Sequence, residues 1–398
     1  MAAATFSHTM GFGIVNPFFP LVLQEMGATG HLETWVGYAL GSYFTLSFFL
    51  MPVWGVVSDH YGRKLMALRT SLGMATIFFI LPLTPSLYWF LAVFFLMGTT
   101  NGFIPASNAL IATNTPPSAM GRSLSLVQTG TLIGGTLGPA LGAMIAFLLP
   151  GYRYLYWVAA ASLLGGGMLT LFLAREKHER PNTPFRLHMV RDFSIIRRLP
   201  NISGLMFITF INTLTFIGTA TIISVFTLEL LAAEGITSGK EVNVWVGAVT
   251  LAFTLASALS VHFWGRLQDR LGADRVLVLS LLVGGLASLP TIVTQTPAQL
   301  VAARFLLGLL AIGAAPATVT LIRFHAPKGM EARVLAYASA FGALGIGVGP
   351  FVAGMIGPVL GLRAFFALNS LLLLVGFAIG LRAHLRGAAS DPASETAP

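Results

Sequence analysis

Long apolar runs recur along the whole chain, and short polar segments separate them. Each run has about 18 residues or more, which at about 1.5 Å per helical residue is enough to cross a hydrocarbon core roughly 30 Å thick. The pattern predicts twelve membrane spans, numbered one to twelve, at residues 3–24, 34–57, 66–83, 87–113, 122–148, 153–174, 201–228, 243–264, 275–293, 298–324, 332–357 and 362–383. It indicates an all-α membrane protein.

The composition agrees with this pattern. Hydrophobic residues make up 55% of the chain and charged residues 9%, which differs from the composition of soluble domains. Cysteine is absent, which excludes disulfides. The first apolar run lacks a basic flank and a small-residue cleavage site, so we interpret it as span one and not as a removable signal.

The formal charge of +9 is distributed unevenly. Of the 23 Lys and Arg residues, 19 fall on the side of the predicted membrane that holds both termini, and three fall on the other side. The last, Arg304, lies inside span ten. Because basic residues are enriched in cytoplasmic loops, the split predicts a multi-pass protein of the inner (plasma) membrane with both termini in the cytoplasm. The basic balance is thereby explained without a nucleic-acid partner.

An ordered series of residues is repeated in the second half of the sequence. Its members stand 210 or 211 positions apart, and they are Gly55 and Gly265, Asp59 and Asp269, Gly62 and Gly272, Gly98 and Gly308, Pro105 and Pro316, Arg122 and Arg333, Gly138-Pro139 and Gly349-Pro350, and Arg153 and Arg363. Such a series indicates an internal duplication. We therefore predict two pseudo-symmetric six-helix bundles in the same orientation.

Four segments follow from this division. Residues 1–174 form the N-terminal bundle, 175–200 a cytoplasmic linker, 201–386 the C-terminal bundle and 387–398 a disordered tail. In the linker, apolar residues at three-residue steps from 187 to 196 alternate with arginines. That pattern suits a short helix on the inner leaflet, or equally an irregular basic linker.

The duplicated motif places charges in a short turn between two spans. It reads Gly55-x-x-x-Asp59-x-x-Gly62-Arg63-Lys64, and its weaker copy is Gly265-x-x-x-Asp269-x-x-Gly272. The glycines allow neighbouring helices to approach, and an aspartate is stabilised near a helix N-terminus. Arg63 and Lys64 alone would serve as membrane anchors, but anchoring requires neither the aspartate nor two glycines.

With this motif and the duplication, the whole chain resembles a major facilitator superfamily transporter, in particular the twelve-span bacterial drug:proton antiporters of the MdtG type. The sequence from Pro105 to Thr113 adds to the resemblance. The resemblance implies rocker-switch alternating access driven by a proton gradient, with no cofactor and no metal. It also implies that Asp59 contacts the start of span eleven, near residues 331–333, and closes the cytoplasmic side.

Span five carries glycines at four-residue spacing, followed by a proline. The stripe consists of Gly130, Gly134, Gly138, Pro139 and Gly142. Such a stripe allows close helix packing, and the proline is expected to kink the helix. In the family the same stripe is the antiporter signature and favours export, although here Ala143 replaces its usual last glycine.

The resemblance also implies that spans one, four, seven and ten line a central cavity. Candidate cavity residues, mostly polar, lie in these spans and in span five: Asn16, Asn101, Asn108, Gln128, Asn212, Phe216 and Arg304. Each buried amide is either a clasp between helices or part of a cavity wall. Phe94 stands where the family's span-four arginine is expected, and we find no carboxylate at mid-membrane.

These residues predict an exporter of amphiphilic, lipophilic or cationic small molecules, acting as a monomer in the lipid bilayer. An importer or uniporter of a metabolite and a dedicated siderophore exporter use the same fold and stay open as alternatives. An intramembrane enzyme is disfavoured, because the sequence has neither an HExxH motif nor a phosphate-binding Walker sequence.

Overall fold

The computed structural model describes residues 1–115, 120–176, 201–236, 238–326 and 331–389, with the side chains of 52, 55, 56, 59, 60, 109, 112, 113, 120–122, 124, 125, 331–333, 336 and 384–389 left out. In these ranges it forms helices and no strand. The α-helices are α1 (Ala2–Val15), α2 (Phe19–Glu25), α3 (Leu32–Tyr61), α4 (Arg63–Ile80), α5 (Leu87–Leu96), α6 (Phe103–Asn114), α7 (Met120–Ala146), α8 (Leu155–Leu173), α9 (Ile202–Ala233), α10 (Gly239–Leu271), α11 (Ala273–Val293), α12 (Pro297–Ala311), α13 (Ala314–His325), α14 (Glu331–Leu360) and α15 (Leu362–Ala389).

Ten segments of the described chain are helical, long and apolar enough to cross a membrane. They correspond to predicted spans three to twelve, which confirms the all-α membrane fold. Spans one and two correspond to α1 with α2 and to α3. Helix α15 continues to Ala389 and so includes the first three residues of the segment predicted as a tail. Residues 177–200 of the predicted linker and 390–398 of the predicted tail lie outside the described residues.

Spans one, four and ten each consist of two helices with a short break between them. Pro17 removes a backbone donor within a 3-10 turn, Asn16–Phe18, that separates α1 from α2. Gly102 has a φ of 118°, a left-handed conformation suited to glycine, between α5 and α6. By contrast, Pro139 lies inside α7, which runs on as one helix.

The two halves share a hydrophobic core at one end of the bundle only. We call the end where α1 begins the termini face and the end where α3 begins the far face. Toward the far face one buried cluster combines Phe18 and Val36 of the N-terminal half with Ile222 and Phe365 of the C-terminal half. Toward the termini face, each buried cluster in the described chain belongs to a single half.

Two matched helix pairs join the halves near the far face. A Cβ added to Gly37 of α3 would lie 2.7 Å from the Cα of Gly354 in α14. A Cβ added to Gly247 of α10 would lie 2.8 Å from the Cβ of Ala143 in α7. Gly247 follows Gly37 by 210 positions, so the duplication repeats this contact. Ala143, which departs from the glycine pattern, fills the space beside Gly247.

Candidate functional site

The turn between α3 and α4, which belongs to the duplicated motif, binds a carboxylate that the sequence did not indicate. Gly62, with a φ of 105°, ends α3, and the next two residues begin α4. The backbone N–H of Arg63 donates to Glu176 Oε1 at 2.7 Å, and that of Lys64 donates to Oε2 at 2.9 Å. The carboxylate thus satisfies two free donors at the positive end of a helix dipole. Glu176 was missed because it stood in the predicted linker, although it is the first carboxylate after span six.

The contact between Asp59 and the start of span eleven, which would close the cytoplasmic side, stays a prediction. The side chains of Asp59, Glu331 and Arg333 lie outside the described residues, and the surroundings of Gly55 are not described either. In the second copy, Gly272 has a φ of 86° and ends α10 in the same manner. Asp269 is exposed at the termini face.

The glycine stripe of α7 faces the backbone of α1. Added Cβ atoms at Gly130, Gly134, Gly138 and Gly142 would all meet α1 backbone atoms, and for Gly138 the distance to the Cα of Gly13 is 2.6 Å. Close packing is therefore a role of the stripe. Its relation to transport direction stays a prediction.

The C-terminal half repeats this packing between α9 and α14. Gly134 meets Phe6 and Thr9 in the first half, and Gly345 meets Phe210 and Thr213 in the second. The pairs in α1 and α9 stand 204 positions apart. We call two residues at corresponding positions of the two halves mates. Mates stand 204 positions apart in α1 and α9, and 210 or 211 positions apart in the duplicated series described above. His8 and Asn212 are therefore mates, as are Phe12 and Phe216.

The breaks in spans four and ten are stabilised by matched tryptophan positions. Trp264 Nε1 donates to the Leu309 carbonyl at 2.9 Å. Its mate Trp54, 210 positions earlier, has an indole nitrogen without a partner. There Arg69 lies 3.8 Å above the Trp54 ring and donates to the Thr99 carbonyl at 2.6 Å. These contacts beside the helix breaks were not among the predicted features, although the 210-position spacing of the two tryptophans was a signal for them.

The predicted cavity amides have different surroundings. Asn101 Nδ2 donates to Ser47 Oγ at 3.3 Å, so this side chain clasps α3 beside the break. Asn108 is half-buried and Gln128 is exposed. Asn16 borders a narrow cavity of about 20 Å³ whose other walls are apolar or aromatic. Phe12, Phe78 and Phe94 are among those walls.

Phe216 and Arg304 come together on a residue that the sequence analysis did not identify. The Phe253 ring lies 5.8 Å from the Phe216 ring, and the Arg304 guanidinium carbon lies 4.4 Å from the Phe253 centroid. Asn212 stands one turn before Phe216 on α9, so the two share a helix face. Two of the predicted cavity residues therefore border one aromatic residue, and Asn212 lies one helical turn from one of them.

The N-terminal half has the same arrangement without the charge. Tyr43, the mate of Phe253, lies 6.5 Å from the Phe12 ring and 5.8 Å from the Phe94 ring. Phe94 is the mate of Arg304, 210 positions earlier. The two sites differ in one main respect, because an aromatic ring in the first half is replaced by a guanidinium in the second.

The described residues contain no group of three or more His, Cys, Asp or Glu side chains that could hold a metal ion. The arrangement instead offers aromatic surface and a few hydrogen-bond donors, as ligand sites of small amphiphiles do.

Comparison with known proteins agrees with this architecture. The Major Facilitator Superfamily profile matches residues 1–240 and 205–397. The chain is 33% identical over 361 residues to the multidrug resistance protein MdtG of Citrobacter koseri, which covers 90% of this chain and 87% of that protein. The solved nucleoside transporter NupG is similar with a TM-score of 0.78 at 12% identity, over 96% of this chain and 98% of that one. An inward-facing, unoccupied bacterial homologue of the human lysosomal transporter Spinster gives 0.72 at 14%, over 96% and 95%. At these identities the structural similarities show the fold.

Proposed function

Because the chain belongs to the major facilitator superfamily, we propose that it exports amphiphilic small molecules from the cytoplasm by alternating access. The family and the relatives are transporters, so the protein is a membrane transporter and not an enzyme. The substrate class, direction and energy source are the parts that we propose.

The one-sided core is the observation that carries the mechanism. The halves share buried residues near the far face and have separate clusters near the termini face. A central site between them would be open at the termini face. At two of the far-face contacts, Gly37 with Gly354 and Gly247 with Ala143, small residues meet, and such surfaces part without untangling long side chains. Rocking of the two halves would then close one face and open the other.

The direction follows from charge and from the relatives. Because basic residues are enriched in cytoplasmic loops, we propose that the termini face is cytoplasmic, and a state open at that face could load a substrate from the cell interior. The MdtG relatives carry the name multidrug resistance protein, which fits export across the inner membrane. The aromatic walls near Asn16 suit a lipophilic body. We propose that the monomer is the transporting unit, because both halves of the pathway come from one chain.

Proton antiport is proposed from the family resemblance. His8 is a titratable group that lies buried in α1, stacked 4.3 Å from the Phe103 ring, with Nδ1 lacking a partner. Its mate is Asn212, so an amide fits the same backbone position. His8→Asn is therefore a suitable variant for separating proton coupling from folding.

Transport into everted membrane vesicles tests the proposal. One uncharged and one cationic lipophilic dye are offered with and without an imposed inside-acid pH gradient. We expect gradient-dependent accumulation of at least one dye, loss of accumulation in Asp59→Asn at equal protein level, and loss of the gradient effect in His8→Asn.

Two outcomes would contradict parts of the proposal. Unchanged turnover in Asp59→Asn would remove that residue from gating. No gradient-dependent accumulation of either dye by well-inserted protein, together with counterflow of a sugar or amino acid, would favour the importer or uniporter.

A further inference from the structure

Arg304 is a buried charge that forms no ion pair with a described residue. Its side chain is 3% exposed, and Nε and Nη1 have no hydrogen-bond partner. Two ion pairs of the described residues, His31 with Glu33 and Arg153 with Glu25, lie at the far face. The Phe253 ring attracts the guanidinium, but such a contact does not replace the several hydrogen bonds that a buried guanidinium needs.

The mate of Arg304 shows that packing does not require the charge. Phe94 occupies the corresponding position in the N-terminal half, is 3% exposed, and packs against Tyr43. The same helical framework thus accepts an uncharged ring at this position. A buried arginine is costly in a membrane span and is usually retained for function.

A second unpartnered donor lies on the helix face that carries Phe216. Asn212 Nδ2 is buried without a hydrogen-bond partner, and Asn212 precedes Phe216 by one helical turn. Glu229, the carboxylate in the same helix, is 13 residues beyond Phe216, which is about 20 Å along the axis. The site therefore presents donors and positive charge to its centre, and the nearest carboxylate on that helix is remote.

We propose that Arg304 and Asn212 bind the anionic group of a transported amphiphile, a carboxylate, sulfonate or phosphonate. Phe216 and Phe253 contact its apolar body. A guanidinium donates strong hydrogen bonds to such an anion, so an anion against Arg304 would give a partner to Nε or to Nη1, which have none in the structure. This inference rests on the proposed transport function and narrows its substrates to organic anions.

Binding to the purified protein tests the inference separately from transport. The probes are 11-(dansylamino)undecanoic acid and its primary amide, which share a fluorophore and chain and differ in charge. Binding is measured by dansyl fluorescence with the protein in phosphatidylcholine nanodiscs. We expect the wild type to bind the acid about tenfold more tightly than the amide or better, because hydrogen bonds to charged groups are the stronger ones.

The variants assign that preference to a residue. Arg304→Phe copies the mate position and should fold, lose the preference for the acid and bind the amide as before. Arg304→Lys keeps the charge and should retain part of the preference. Leu306→Phe, at an exposed position of the same helix, is the matched control and should bind both probes like the wild type.

Three results would overturn the inference. The first is equal binding of acid and amide by the wild type. The second is an equal loss of both probes in Arg304→Phe, which would mean a structural role. The third is a rise in thermal midpoint with phosphatidylglycerol that depends on Arg304 while acid and amide bind equally, which would make a lipid phosphate the partner. Acid-selective binding without accumulation of 11-(dansylamino)undecanoic acid in everted vesicles would instead contradict the transport proposal alone.

Discussion

At the scale of single residues, the two tryptophans near the helix breaks show how one backbone problem is solved twice. A helix that ends inside a bundle leaves carbonyl groups without donors. Trp264 satisfies the Leu309 carbonyl directly, whereas near the other break Arg69 satisfies the Thr99 carbonyl and covers Trp54. The duplicated position is thus kept while its hydrogen-bonding task has moved to another residue in one half.

This difference predicts unequal effects of one substitution. Trp264→Phe removes the donor to a buried carbonyl and should lower the stability by about 1–3 kcal/mol. Trp54→Phe keeps an aromatic ring under Arg69 and removes an indole nitrogen that has no partner, so it should change stability less. Thermal unfolding of both purified variants measures the difference. Equal losses would show that ring size, and not the hydrogen bond, matters at Trp264.

At the scale of helices, adjacent glycines in α7 provide a matched comparison. A Cβ at Gly134 would collide with the Phe6 carbonyl and the Thr9 hydroxyl of α1, whereas a Cβ at Gly135 would meet no atom within 4 Å. Gly134→Ala should therefore destabilise by about 1–3 kcal/mol through overpacking. Gly135→Ala should be neutral or stabilise by about 0.5–1 kcal/mol, since alanine favours the helix.

Thermal unfolding and vesicle transport are the measurements for this pair. If Gly135→Ala is as harmful as Gly134→Ala, then the glycines act through helix flexibility and not through the contact with α1.

The helices were largely predictable because lipid burial requires apolar runs, and such runs are visible in any window of the sequence. The breaks were not, because one residue such as Pro17 or Gly102 hardly changes an average over a window. Whether a proline interrupts a helix depends on which neighbour satisfies the backbone, and Pro139 shows that it need not do so.

The candidate site was predictable in part. Asn212, Phe216 and Arg304 stand out as polar, aromatic and charged residues of spans expected to line a cavity. Phe253 did not, because a phenylalanine in an apolar span carries no signal of its own. The position of Phe253 between Phe216 and Arg304 becomes clear only from the comparison with its mate Tyr43, which packs against the corresponding residues of the first half.

At the scale of the whole molecule, the far face is where the halves must separate if access alternates. Ala143 and Gly247 are neighbours there, and the chain has no cysteine of its own. Ala143→Cys together with Gly247→Cys should form a disulfide after a shift of roughly 1 Å, since Cβ atoms in disulfides are typically about 3.8 Å apart.

We expect the oxidised double variant to lose transport and to regain it on reduction, because the far face can then open again. The two single variants, treated with the same oxidant, are the controls. Transport at the wild-type rate by fully cross-linked protein would show that this contact does not open during the cycle.

The duplication also has an evolutionary consequence. Once a bundle exists in two fused copies, one copy can keep a residue that serves folding while the other replaces it with a residue that serves function. The copy that kept the residue then shows which side chain the fold accepts at that position. Phe94 with Arg304 and His8 with Asn212 are two such divergences in this chain, whereas Trp54 and Trp264 keep the same residue. In each divergent pair, the uncharged or simpler residue can be introduced at the position of its mate. The chain itself therefore indicates which substitutions to test.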